Sequence, residues 1–188
     1  MRLWKGSLVA LMLTMLFAVL PATLGVAAAD DPATVVQRFT DVRNSYDVPG
    51  TLALVTDDIR NVGGPRCTEA APCIGVAAFR MNLEGSFIVN HVQITIIGAP
   101  QVSGTTVRIR TEVRADVYRA AGVERIVNNG TVEVRDGKVA SYVDTPDASD
   151  AQTAQFLAYQ RARQSASPAP PRTGGGGEAS FIHRLGDG

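Results

Sequence analysis

The sequence predicts an α+β domain, with helices packed on one face of an antiparallel sheet. Three observations predict it. Apolar residues recur at three- and four-residue spacing up to about residue 87. From residue 90 onward the apolar period drops to two. Turn signals such as Gly98-Ala99-Pro100, Ala121-Gly122 and Asp136-Gly137 punctuate the second half.

The elements follow in order. Asp31-Pro32 opens the first helix, because Asp caps a helix and Pro suits its first turn. Val35, Val36, Phe39, Val42 and Arg43 carry its periodic pattern to about Tyr46. Residues 47–50, Asp-Val-Pro-Gly, break it. A short second helix is expected at 52–55, then a turn at Asp57-Asp58 and a short strand at 59–62. Residues 75–87 read as a third helix, with Val76, Phe79, Leu83 and Phe87 on one side. Strands are expected at 92–96, 105–118, 123–128, 131–135 and 138–144, with Asn129-Gly130 read as a turn. Ser149-Asp150 caps a last helix over 151–164, expected to pack on the outside of the domain.

The ends of the chain differ from this middle. Residues 6–29 carry no charge, after Arg2 and Lys5 and before Asp30-Asp31. Pro21 breaks the apolar run and Ala27-Ala28-Ala29 closes it with small side chains. This is the layout of a secretory signal, with cleavage expected after Ala29 and an extracytoplasmic protein, periplasmic or secreted. The competing reading is an N-terminal membrane anchor, since the run is long enough to span a bilayer. The expected organisation is a signal peptide at 1–29, a domain at 30–146, a helix at 147–164 and a Pro/Gly-rich disordered tail at 165–188. The four consecutive glycines of that tail do not make a phosphate loop, because no strand precedes them and no Lys-Ser/Thr follows.

Charge and cysteine content narrow the function classes. Without residues 1–29 the chain holds 16 basic and 18 acidic residues, a formal charge of −2. No basic excess exists to bind a phosphate backbone, so nucleic acid is excluded as a partner. No membrane contact is expected after signal cleavage. Cys67 and Cys73 are the two cysteines, and in an oxidising compartment a single pair reads as a disulfide. His91 and His183 are the two histidines, which leaves two thiolates short of further ligands. Neither a metal nor a cofactor is expected.

Four stretches carry a family likeness: Val35-Val36-Gln37-Arg38-Phe39, residues 49–58, Gly75-Val76-Ala77-Ala78-Phe79-Arg80, and residues 132–139 ending at Asp136-Gly137. Their order and spacing resemble the nuclear-transport-factor-2-like superfamily, in its SnoaL-like and ketosteroid-isomerase-like branches. The resemblance covers about residues 31–144. It implies a strongly curved sheet wrapped around the N-terminal helices, leaving a cone-shaped apolar pocket. It does not settle activity, because the family includes isomerases, cyclases, hydrolases and members without chemistry. The steroid-isomerase branch needs a tyrosine, a general-base aspartate and a second acid. The positions that match them here are Phe39, Gly63 and Gly130, so that mechanism is not expected.

Candidate residues follow. Phe39, Phe79, Leu83 and Phe87 are expected to form the pocket wall. If the protein is an enzyme, His91, Asp116, Tyr118 and Asn128 are the first suspects. His91 is placed on a strand face with Gln93 and Thr95, where a solvated role competes with acid–base work. Arg108, Arg110, Glu112, Arg114 and Asp116 form a charged strand face, suited to ion pairing, to an anionic ligand or to a homodimer contact. The expected function is binding of a small apolar molecule or a protein partner without catalysis. The alternative is an isomerase, cyclase or hydrolase acting on a small hydrophobic substrate in the same pocket.

Overall fold

A computed structural model describes residues 30–64 and 66–166. The expected signal peptide and the Pro/Gly-rich tail lie outside the described residues. Among the described residues no helix is long and apolar enough to cross a membrane.

The chain opens with α1 (Pro32–Asn44) and α2 (Val48–Ala53). Asp31 caps α1 by accepting from the Thr34 amide, and Asp47 caps α2 by accepting from the Gly50 amide at 2.9 Å. Proline in each first turn supplies a helical φ at no hydrogen-bond cost. Next come β1 (Val55–Val62), β2 (Cys73–Ile74) and α3 (Gly75–Asn82), which runs on into a π-helical segment, Leu83–Ile88. The remaining elements are β3 (Gln93–Ile96), β4 (Gln101–Ser103), β5 (Thr106–Arg114), α4 (Asp116–Arg119), β6 (Ile126–Arg135), β7 (Lys138–Pro146) and α5 (Ala151–Ala166).

The strands form one curved, mixed sheet in the order β2-β1-β7-β6-β5-β3, with β4 also on β5. Every pairing is antiparallel except β1 with β7. Register defines one inward face. Val107, Ile109, Thr111 and Val113 of β5 alternate inward, opposite Val132, Gly130, Asn128 and Ile126 of β6. Tyr142 and Asp144 of β7 stand opposite Val132 and Gly130. Against this face α1 lays Val35, Val36, Phe39, Thr40 and Arg43, all buried. Phe79, Leu83 and Phe87 come from the helix after β2 and complete the core.

The outward face is charged and largely paired within the chain. Arg110 meets Asp147 at 2.8 Å, Arg114 meets Glu112 at 2.8 Å, and Arg125 lies 3.3 Å from Glu112 and 3.1 Å from Asp150. Cys67, in the loop after β1, and Cys73, the first residue of β2, form a disulfide with Cα atoms 5.1 Å apart.

Several expectations are corrected. The strand expected over 105–118 stops at Arg114. Ala115 is extended, but the Asp116 amide donates to the Asn90 carbonyl at 2.9 Å and turns the chain into α4. Asn129-Gly130 is no turn: β6 pairs with β5 and β7 through both residues. Glycine is needed there for close approach, since a Cβ would stand 2.8 Å from Ile109 Cγ1 and 3.0 Å from Asp144 Oδ1. Asp57-Asp58 lies within β1, which begins at Val55, and Asp58 pairs with Arg135 instead of capping a turn. His91 sits in a turn before β3 at φ 47°, off the strand face where it was expected. The outer helix α5 turns Thr153 and Phe156 inward. Thr153 Oγ1 accepts from the Val127 amide at 2.8 Å, and Phe156 meets Tyr118 edge-on at 4.8 Å between centroids.

Candidate functional site

The inward face is not wholly apolar. Arg43 lies on the buried stripe of α1, four residues after Phe39, and is 6% exposed. Its guanidinium carbon stands 5.1 Å from the Phe39 ring centre, 4.6 Å from that of Phe87 and 5.0 Å from that of Tyr142. Ring faces attract a cation, and three of them replace part of its hydration. No carboxylate among the described residues lies within ion-pair distance of Arg43, and its Nε and Nη1 atoms are sealed from solvent without hydrogen-bond partners.

Asp144 is the acid of this group. It sits one place past Val143, whose partner on β1 is Val62, so the following Gly63 comes beside it. A Cβ on Gly63 would meet the Asp144 Cβ at 3.2 Å. Gly63 has φ 149°, a conformation that side chains rarely adopt, so this neighbour is free of a side chain for two reasons. Gly130 is the close neighbour on the other flank, where a Cβ would stand 3.0 Å from Asp144 Oδ1. The residue as a whole keeps some exposed surface, but Asp144 Oδ1 is sealed and has no hydrogen-bond partner. Burial pushes its carboxyl up to about 6, against the pull of the Arg43 charge and of Tyr142 and Asn128 beside it. Tyr142 and Tyr118 are also held well above the ordinary phenol range, first by burial and then by the Asp144 charge.

Thr111 and Asn128 complete the group, paired across β5 and β6. Thr111 Oγ1, Asn128 Oδ1 and Tyr142 Oη are buried without partners, like the Arg43 and Asp144 atoms. A buried polar atom left unpaired costs about 1–3 kcal/mol. Part of that cost is offset within the group, because Tyr142 stands beside both Arg43 and Asp144, and Asn128 stands beside Asp144. The set offers a fixed cation, a carboxyl that exchanges its proton near neutral pH, two hydroxyls and an amide.

The four enzyme suspects divide. His91 Nδ1 and Asp116 Oδ2 stand 2.7 Å apart at an open cleft of about 450 Å³, lined also by Arg114, Ala115, Arg119 and Glu124. Their side chains are 69% and 40% exposed, and Asp116 is also held by Arg119, which is a solvated surface cluster. Tyr118 turns away from that cleft into the core against Phe156. Asn128 joins the Asp144 group. A second open cleft, about 300 Å³, lies along Ile97, Gln101, Arg108, Arg110, Asn129 and Thr131. Phe39, Phe79, Leu83 and Phe87 are all buried, and Phe39 and Phe87 contact the Arg43 guanidinium directly. Among the described residues no cluster of three or more His, Cys, Asp or Glu is arranged to hold a metal.

Arg43, Tyr142 and Asp144 were not selected from the sequence. Two signals carried them: Arg43 falls on the apolar stripe of α1, and Tyr142 and Asp144 share one face of β7 by alternation. The three positions that matched the steroid-isomerase residues all border this group. Phe39 faces Arg43, and Gly63 and Gly130 let the backbone pack closely on either side of Asp144. The interior acid of this chain is Asp144 of β7, at a position that none of the three matches.

The architecture is the nuclear-transport-factor-2-like fold. A Mycobacterium tuberculosis protein solved in complex with estradiol-17beta-hemisuccinate matches at TM-score 0.52 and 16% identity, over 63% of this chain and 95% of that one. A computationally designed 17-OHP binder matches at TM-score 0.53 and 15% identity, over 63% and 92%. A Kribbella flavida protein proposed to be a ketosteroid isomerase matches at TM-score 0.50 and 16% identity, over 83% and 90%. No protein-family model matches the chain, and no curated protein matches it.

Proposed function

We propose that this protein works outside the cytosol and binds a small amphipathic molecule against the inward face of its curved sheet, without transforming it. The carrying observation is the set of six sealed polar atoms on Arg43, Thr111, Asn128, Tyr142 and Asp144 that make no well-formed hydrogen bond among the described residues, although Tyr142 stands beside both Arg43 and Asp144. They stand beside Phe39, Phe87 and the valines of β5 and β6, so a molecule with one polar end and an apolar body matches both parts. One neighbour of the same fold is in complex with estradiol-17beta-hemisuccinate and another is a designed 17-OHP binder, which supports small-molecule binding here. Export rests on the uncharged segment 6–29 and its Ala-rich end, and the Cys67–Cys73 disulfide suits an oxidising compartment.

The test is native mass spectrometry of protein purified from the extracytoplasmic fraction, followed by thermal shift with apolar and amphipathic compounds. A retained small molecule, lost on Arg43→Met, supports the reading. Consistent absence of any bound molecule, together with no shift from any compound, contradicts it.

A second reading is favoured by one observation. Asp144 sits near pKa 6 inside the protein, where a carboxyl can give or take a proton at neutral pH. On this reading the bound molecule is isomerised or hydrolysed, with Asp144 moving the proton and Arg43 and Tyr142 stabilising developing negative charge. Turnover of a retained molecule by wild type but not by Asp144→Asn would select this reading over simple binding.

A further inference from the structure

The chemistry of the occupant can be narrowed, resting on the binding reading above. Arg43 is a permanent cation, nine-tenths buried, boxed by three aromatic rings and without an ion-pair partner among the described residues. A buried charge is retained at such cost only where an opposite charge meets it. Asp144 is close enough to feel the Arg43 charge, and Tyr142 stands beside both, yet Arg43 Nε and Nη1 and Asp144 Oδ1 make no well-formed hydrogen bond. The groups around Asp144 are Arg43 from α1, Tyr118 from α4, Asn128 from β6 and Tyr142 of its own strand, while Gly63 and Gly130 contribute none. Of these, Arg43 alone is charged near neutral pH, because both phenols are held protonated. One cation therefore faces one ionisable carboxyl, and a second carboxylate can join them only if one proton is kept between the two acids. Phe87, one wall of the Arg43 box, is carried on the π-helical segment, a backbone form that tends to mark functional sites.

We infer that the occupant is a monocarboxylic acid whose carboxylate pairs with Arg43, and that it binds only when Asp144 carries a proton. Binding is then coupled to proton uptake. Affinity is highest below about pH 6 and falls about tenfold per pH unit above it, because the competent protonated form becomes that much rarer.

The experiment is isothermal titration of the disulfide-intact protein with octanoate between about pH 5.5 and 8, in buffers of different ionisation heat, with 1-octanol as the neutral match. The inference expects octanoate to bind with uptake of about one proton near pH 7.5, while octanol binds independently of pH. Asp144→Asn should keep octanoate binding and abolish both the pH slope and the proton uptake. Arg43→Met, which places an apolar chain among the same rings, should lose octanoate and keep octanol. Octanol binding without octanoate binding, or octanoate binding that ignores pH in the wild type, overturns the inference and leaves small-molecule binding standing. Failure of both probes together with the compound series above sinks the two at once.

Discussion

Replacing Asp144 by asparagine should make the protein more stable at neutral pH. The side chains have the same shape, and asparagine carries no charge to bury. The sign follows from the raised carboxyl. Burial lifts Asp144 from 3.8 to about 6 in the folded protein, so the folded state holds that proton more tightly than the unfolded chain does. Its favourable contribution is complete below about pH 4 and is lost as pH rises through 6. Across that window the loss comes to about 3 kcal/mol, with the attraction to Arg43 already included. Urea unfolding of wild type and Asp144→Asn from about pH 4 to 8 checks this. The two should be nearly equal at the acid end, and the variant should lead by about 2–3 kcal/mol at pH 8. Taking the difference between the two proteins removes the opposing contribution of Asp58, Asp147 and Asp150. Their carboxyls are held below the usual range by hydrogen bonds from Thr56, Ser149 and Thr153, and that stability is lost as pH falls. A variant less stable than wild type at pH 8, or a constant difference across the range, refutes the reasoning.

Three further outcomes follow from particular contacts. Gly130→Ala should cost about 1–3 kcal/mol, read as a lower urea midpoint, because its Cβ would stand 2.8 Å from Ile109 and 3.0 Å from Asp144 Oδ1. Cys67→Ser with Cys73→Ser should cost about 2 kcal/mol, since the closed loop is short, and proteolysis should then cut first between β1 and β2. Asp116→Asn should change stability by less than about 1 kcal/mol and leave ligand retention intact, because the His91–Asp116 pair is solvated.

The fold was legible because the strongest signals were local. The stripe of Val35, Val36 and Phe39, the Asp31 cap, and the alternation of Val107, Ile109 and Val113 each report local backbone geometry, whereas Asp47, read as part of a helix break, caps α2. The disulfide was legible from two cysteines and a compartment. Element ends were less so. A hydrogen bond between the Asp116 amide and Asn90 ends β5, and no local pattern announces a contact 26 residues apart. Asn129-Gly130 has turn chemistry, but its neighbours on β5 and β7 hold it in a strand. The interior polar group was hidden for a related reason. Asp144 owes its environment to Arg43, about a hundred residues earlier, and to the close approach that Gly63 and Gly130 allow. Periodicity includes Arg43 in the α1 pattern, but an arginine there reads as a surface residue until the rings around it are seen.

The most direct measurement is a crystal structure of the protein as purified below pH 6, with attention to the inward face of β5, β6 and β7. The account predicts density that does not belong to the chain, within hydrogen-bonding distance of Arg43 and reaching toward Tyr142 and Asp144. An Arg43 guanidinium clasped directly by the Asp144 carboxylate, with no density beside it that is foreign to the chain, would contradict it.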